Sequence, residues 1–343
     1  MKAFQLGGIE IKPGTRRTIH LPLGQLYTHN PISMPVHVIH GRRDGPCLFV
    51  SAAIHGDELN GIEIIRRLLV RPALNRLRGT LLAVPIVNVL GVLQQSRYLP
   101  DRRDLNRSFP GSEKGSLTAR QADLFMNEIV AKASYGIDLH TGAINRSNLP
   151  QIRGNLNDVE TRRLADAFGT PVILNSDIRE GSLREAAAQL GITTLLYEAG
   201  EALRFDELSI RAGERGVLNV MRAIGMLPPS RARQPHAKPA LAAGSSWVRA
   251  PVSGVARFAT ELGAWVKKGE LLGRIADPFG EQEEDVVAPF AGLVIGCTNI
   301  PLVYEGDAMF HLAHFDKSRG IAMRVEAFRN GFKAPLPPGE GLG

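Results

Sequence analysis

Cysteine is nearly absent: Cys47 and Cys297 are the only two in 343 residues, too few and too far apart for a disulfide framework. They are read as buried free thiols. Aromatic residues make up only 6% of the chain, so its net charge of +7 lacks the stacking side chains that accompany basic residues in nucleic-acid grooves. The basic residues are instead scattered in pairs, such as Arg16-Arg17, Arg42-Arg43, Arg66-Arg67 and Arg102-Arg103, and an anionic small substrate explains part of the excess equally well. No apolar run is long enough to span a bilayer; each has strand length and is broken by glycine, proline or charge. The opening stretch, Met1 to Glu10, lacks the apolar core of a signal peptide. These absences point away from nucleic-acid and membrane partners and make the cytoplasm the expected location.

What is present is a globular composition, 44% hydrophobic and 22% charged, in a chain long enough for two domains. Residues 1 to about 45 read as short strands and turns, with alternating patterns at 17–22 and 34–40 and a turn at 41–46. From there strand and helix patterns alternate. Strands are expected at 47–54, 80–88, 136–139, 171–175 and 193–198, and helices at 60–70, 117–130, 159–168, 182–190 and 205–224. Such alternation predicts an α/β fold with a mixed, mostly parallel sheet flanked by helices, in which sites form where loops leave the carboxyl ends of strands. The stretch 228–244, proline-rich and basic at its start, reads as a linker between a domain at 1–227 and a second unit at 245–330. In that unit Ala250-Pro-Val-Ser-Gly is echoed by Ala288-Pro-Phe-Ala-Gly, and Val266-Lys-Lys-Gly-Glu by Val303-Tyr-Glu-Gly-Asp. The repeat predicts a small all-β barrel-sandwich of two complementary halves. This unit resembles biotinyl and lipoyl carriers, but the segment joining its halves, 276–285, has no lysine to modify, so carrier function is not expected. Residues 331–343 read as a tail rich in proline and glycine.

The chemistry gathers at strand ends. His55 and Glu58 stand three residues apart at the turn between the strand 47–54 and its helix, where both side chains can face one point. A borderline cation such as zinc accepts imidazole nitrogen and carboxylate oxygen, and a catalytic zinc takes about three protein ligands. His140, which follows the strand 136–139 and precedes a glycine-containing turn, is the candidate third ligand. An H-x-x-E pair alone is also common on helix surfaces; the second strand-end histidine is what favours a metal. Glu198 closes another apolar strand and is the candidate general base, the group that takes a proton from an attacking water. A solvated strand-end carboxylate is the plainer alternative. The loop 95–111 carries four arginines, Arg97, Arg102, Arg103 and Arg107, and with Asn106 it suits a carboxylate, which guanidinium grips bidentately. Asp104 could brace that loop.

His55-Gly-Asp-Glu58, Asp104-Leu-Asn-Arg107, Asp138-Leu-His140 and Tyr197-Glu198, in this order, resemble the succinylglutamate desuccinylase/aspartoacylase family, a branch of the zinc carboxypeptidase superfamily. The resemblance covers roughly residues 45–225, and the C-terminal β unit is also similar to that family's plan. It implies one zinc ion held by His55, Glu58 and His140, a water activated by Glu198, a scissile carbonyl polarised by Arg97, and a substrate α-carboxylate gripped by Asn106 and Arg107. The family's Arg-Tyr lies closer to its Asp-Leu-Asn-Arg than Arg97-Tyr98 does here, so Arg102 or Arg103 is an alternative for that role. No arginine clearly matches the family's side-chain pocket; Arg153 and Arg179 are candidates, and Tyr304 is a candidate lid residue. The expected activity is zinc-dependent amide hydrolysis that removes an acyl group from a small anionic N-acyl amino acid. Two alternatives stay open: a zinc carboxypeptidase acting on peptide or poly-amino-acid C-termini, and a non-catalytic metal-binding protein whose β unit recruits a partner. The reading leaves room for a homo-oligomer.

Overall fold

The computed structural model describes residues 1–176, 179–230, 238–316 and 320–333. Phe4–Leu6 (β1) and Ile9–Ile11 (β2) pair as a small antiparallel ribbon, and Thr15–Gln25 (β3) and Pro31–His40 (β4) form a long hairpin. Arg43–Ala52 (β5), helix Asn60–Leu69 (α1), Arg78–Val84 (β6) and helices Val89–Leu93 (α2) and Leu117–Glu128 (α3) come next. Tyr135–His140 (β7), Arg146–Gly154 (β8), helix Val159–Phe168 (α4), Val172–Asn175 (β9), helix Leu183–Gln189 (α5), Thr193–Gly200 (β10) and helix Glu207–Ala223 (α6) follow. The C-terminal strands are Ala240–Ala242 (β11), Gly244–Arg249 (β12), Gly254–Phe258 (β13), Trp265–Val266 (β14), Leu271–Ala276 (β15), Glu283–Val287 (β16), Gly292–Thr298 (β17), Leu302–Val303 (β18) and Ala308–His314 (β19), ahead of helix Ile321–Lys333 (α7).

The centre of the fold is the parallel set β6-β5-β7-β10, whose apolar runs are buried because helices cover both faces. On one face α1, α4 and α6 close over Val50, Leu139 and Leu195, contributing Ile64, Phe168 and Val217. On the other, α3 and α5 bring Phe125 and Leu183 against Phe49 and Leu82. The expected α/β architecture is present, and its sheet is mixed, with the parallel set at the centre. Its neighbours β10/β8, β6/β4 and β4/β3 are antiparallel.

Two elements depart from the sequence reading for identifiable reasons. β8 carries Pro150 among the polar residues Asn148, Gln151 and Arg153, so it lacks the apolar pattern of a strand; yet Asn148 and Gln151 are buried, and it joins β10 to β17. α7 begins inside the stretch expected to be all-β and lies against α6, where the Arg215 guanidinium sits 3.7 Å from the Phe332 ring centroid.

The C-terminal strands fall into two sets. β16-β15-β13-β18 is a separate antiparallel sheet, whereas β12-β19-β17 continues the main sheet, because Gly296, Cys297 and Thr298 pair with Asn148, Ser147 and Arg146. β11, inside the expected linker, pairs in parallel with β9. Residues 231–237 of that linker and 334–343 of the expected tail lie outside the described residues. Cys47 and Cys297 are free and half-buried. No helix among the described residues is long and apolar enough to cross a membrane.

Candidate active site

The turn between β5 and α1 carries His55 and Glu58. It packs so tightly on α2 that a Cβ on Gly56 would lie 2.0 Å from the Gly91 carbonyl carbon, so only glycine fits between the two side chains of interest. Gly61 does the same service for α1, which approaches Ala52 and Leu139 too closely for a side chain at that position. β7 lies between β5 and β10, and on β10 Glu198 is in register with His140. Three strand ends thus deliver His55, Glu58, His140 and Glu198 to one edge of the parallel set.

Glu58 lies between the two imidazoles. Its Oε1 is 2.7 Å from His55 Nδ1, its Oε2 is 2.7 Å from His140 Nδ1, and the Thr141 N–H donates to Oε2 at 3.1 Å. The far nitrogens face other carboxylates: His55 Nε2 is 3.1 Å from Asp104 Oδ1, and His140 Nε2 is 2.6 Å from Asp138 Oδ2. The Ser51 hydroxyl in turn donates to Asp138 at 2.8 Å. Burial opposes charge on both rings, but the surrounding carboxylates prevail and hold the His55 and His140 pKa above the ordinary imidazole value. Burial would likewise raise Glu58, and the two imidazoles overcome it and keep that carboxyl well below the usual carboxylate range. The ligand atoms of His55, Glu58 and His140 all lie within 4.8 Å of one another. Two imidazoles oriented by carboxylates, with a third carboxylate facing them, form a donor set suited to a divalent cation.

These residues line a cleft of about 250 Å³. Arg97 reaches it, with Nη1 3.3 Å from Glu58 Oε1 and Nη2 3.1 Å from Asp104 Oδ2. Arg102 and Arg103 do not line it. Asn106 and Arg107 do; Asp104 accepts the Asn106 N–H at 2.8 Å, which braces the loop, and Asn106 Oδ1 accepts the Leu183 N–H at 2.9 Å, which ties that loop to α5. Glu198 Oε2 accepts from Arg153 Nη2 at 2.8 Å and from Asn148 Nδ2 at 2.9 Å. Of the two side-chain-pocket candidates, Arg153 is therefore engaged with Glu198, and Arg179 is an exposed residue of the lining. Tyr304 is 79% exposed and lies outside the cleft.

Arg184, Asn148, Arg146 and Trp247 also line the cleft and were missed from sequence. Arg184 is buried on α5, and among the described residues its Nε and Nη1 have no hydrogen-bond partner; burial, helped by Arg153, lowers its pKa. An arginine beside the buried Leu183, Ala186 and Ala187 was the local signal available for it. Asn148 and Trp247 arrive through long-range strand register and leave no local signal.

The catalytic-domain model of the succinylglutamate desuccinylase/aspartoacylase family matches residues 44–224. The N-alpha-acetyl-L-2,4-diaminobutyric acid deacetylase of Halomonas elongata is 28% identical over 256 residues, covering 72% of this chain and 75% of that protein. The product-bound ectoine utilization protein EutE (DoeB) from Ruegeria pomeroyi has a similar structure, with a TM-score of 0.78 at 25% identity over 87% of this chain and 95% of that one. A succinylglutamate desuccinylase/aspartoacylase from Rhodobacter sphaeroides shares the fold, with a TM-score of 0.77 at 24% identity over 88% and 96% of the two chains. With its family match spanning the parallel sheet, the His55-Glu58-His140 cluster and Glu198, the chain belongs to the succinylglutamate desuccinylase/aspartoacylase family.

Proposed function

We propose that the protein is a zinc-dependent amidohydrolase that removes the acyl group from a small N-acyl amino acid. The observation that carries this reading is the convergence of the His55, Glu58 and His140 ligand atoms in a cleft that also holds Glu198, Arg97, Asn106 and Arg107. The similarity to a protein named as an N-acetyl-diaminobutyrate deacetylase supports it. His55, Glu58 and His140 would hold the ion, with Asp104 and Asp138 fixing the two rings. When bound, the ion supplies Lewis acidity, drawing charge from the scissile carbonyl and making an attacking water more acidic.

The chain's own groups do the rest. Glu198, steadied by Arg153 and Asn148, would take the proton from water and return it to the leaving amine. Arg97 would donate to the carbonyl oxygen as negative charge develops there. Arg107 and Asn106 would receive the α-carboxylate, and Nε and Nη1 of Arg184, which have no partner among the described residues, would face a polar group of the amino-acid side chain. On this reading residues 1–227 carry the chemistry, 228–244 connect, and the unit at 245–330 walls the cleft through Trp247. A small cleft walled in this way favours small substrates over peptide C-termini.

The test is amine release by the purified, zinc-loaded protein across N-acetyl, N-succinyl and longer N-acyl amino acids, with short peptides included. Glu198→Gln is expected to keep the metal and lose about 10²–10⁴-fold in turnover, and His55→Ala to lose the metal. Unchanged turnover in Glu198→Gln would sink the mechanism, and release from peptides alone would move the assignment to a carboxypeptidase.

A further inference from the structure

Arg146 is a cleft-lining guanidinium that the proposed reaction does not use. Among the described residues no carboxylate or hydrogen-bond acceptor engages its side chain, whereas Arg97 and Arg153 in the same cleft are matched by Glu58, Asp104 and Glu198. Its guanidinium carbon instead lies 5.3 Å from the centroid of the Trp247 ring. The indole is itself stacked on His311, with centroids 4.6 Å apart and 9° between the planes. Burial, with Arg153 adding to it, lowers the His311 pKa to about 3, so this supporting ring is neutral and leaves Arg146 as the cation of the stack.

The arrangement is held from both sides. Buried Glu201 accepts the Asn145 N–H at 3.0 Å and Asn299 Nδ2 at 2.6 Å, pinning the loop before Arg146 to the strand end after β17. Strand register sets Trp247, His311, Gly296 and Asn148 side by side across β12, β19, β17 and β8. A Cβ on Gly296 would lie 2.9 Å from Asn148 Oδ1 and 3.2 Å from His311 Cβ, so these neighbours share one face. That row ends at Asn148, which donates to Glu198. The C-terminal strands are therefore built into the wall next to the candidate general base.

We propose that Arg146, backed by Trp247, is a specificity-determining residue that binds a carboxylate of the substrate other than the one received by Asn106 and Arg107. A guanidinium laid on an aromatic ring keeps its edge donors for a planar, bidentate partner, which is what a carboxylate offers. The effect on turnover rests on the deacylase reading; the binding does not. A cationic side chain, such as the free amine of N-acetyl-diaminobutyrate, would be repelled at this position. The extra carboxylate can sit on the acyl chain or on the amino-acid side chain.

Trp247 gives a direct readout. The chain has two tryptophans, so Trp265→Phe leaves Trp247 as the sole indole emitter. In that background, titration with succinate, glutarate or N-acetylglutamate is expected to give a saturable change in emission at least about 10-fold tighter than acetate gives, the increment of one charge-assisted contact. Arg146→Gln should abolish the change, and Arg146→Lys, which keeps the charge, should retain it more weakly. In turnover, Arg146→Gln should raise KM about 10- to 100-fold for the substrate bearing the extra carboxylate and leave its neutral isostere unchanged. N-acetylglutamate against N-acetylglutamine, and N-succinyl against N-succinamoyl amino acids, show which end of the substrate carries it. No saturable response in the parent, or an undiminished one in Arg146→Gln, overturns the proposal. A response that needs Arg146, without turnover of any acyl amino acid, upholds the subsite and overturns the deacylase reading.

Discussion

His311 is buried on β19, stacked on Trp247 and close to Arg153, and its Nδ1 has no partner among the described residues. An unfolded histidine protonates near 6.5, but this one, disfavoured by burial and then by Arg153, resists protonation down to about 3. Between those values the unfolded chain binds more protons than the folded one, so stability is fully present above pH 6.5 and declines as pH falls toward 3. His311→Phe keeps a ring against Trp247 and removes the titration. Denaturant midpoints at pH 7, 5 and 4 should fall less steeply in that variant; identical slopes would place the acid sensitivity elsewhere. The same corner of the molecule marks the limit of what could be read locally. His55 and Glu58 were legible because one turn carries both, and His140, Arg97, Asn106 and Arg107, read from strand-end position and motif order, line the same cleft. Asn148 and Trp247 were not, because register between distant strands is decided by tertiary structure.

At the level of elements, α2 couples the two halves of the candidate site. Its N-cap residue Asn88, fully buried, accepts the Gly91 N–H at 2.8 Å and donates to the Arg97 carbonyl at 3.4 Å, while Gly91 and Val92 abut Gly56. One short helix thus braces both the loop of Arg97 and the turn of His55 and Glu58. Gly56→Ala must push that turn away from α2, and overpacking of this kind costs about 1–3 kcal/mol. A lower thermal midpoint together with, on the proposed metal reading, weaker zinc binding, measured by competition with a chromophoric chelator, is the expected result. Gly331→Ala, in open space on α7, is the control and should be neutral or slightly stabilising. A Gly56→Ala protein with unaltered zinc affinity would show that the turn is not held by α2. Helices were the most legible elements, since α4 and α6 fill a 3.6-residue apolar pattern against the sheet. β8 was the least legible, because three of its polar side chains, Arg146, Asn148 and Arg153, line the cleft rather than follow an apolar core pattern.

The sheet passes without a break from β10 through β8 into β17, β19 and β12, so the C-terminal strands are joined to the catalytic fold by more than the segment 228–244. A hydrophobic cluster follows the same seam: Leu149, Val172 and Leu174 pack with Ala240, Ala242, Leu293, Ile295, Ala313, Ile321 and Val325. Dividing the chain after residue 230 would therefore expose the β17-facing edge of β8, an unpaired template for aggregation, and strand both sides of that cluster in water. It would also strip Trp247 from the cleft. A fragment ending at residue 230 is expected to be insoluble, or soluble only as a dye-binding, non-cooperative state, even though it retains the whole family-matched segment. Co-expression with a fragment starting at residue 238 should restore a soluble pair that copurifies. Size-exclusion chromatography and thermal melts decide the matter. A monodisperse, cooperatively melting N-terminal fragment would mean that the catalytic fold stands alone and that the shared sheet serves substrate selection rather than stability.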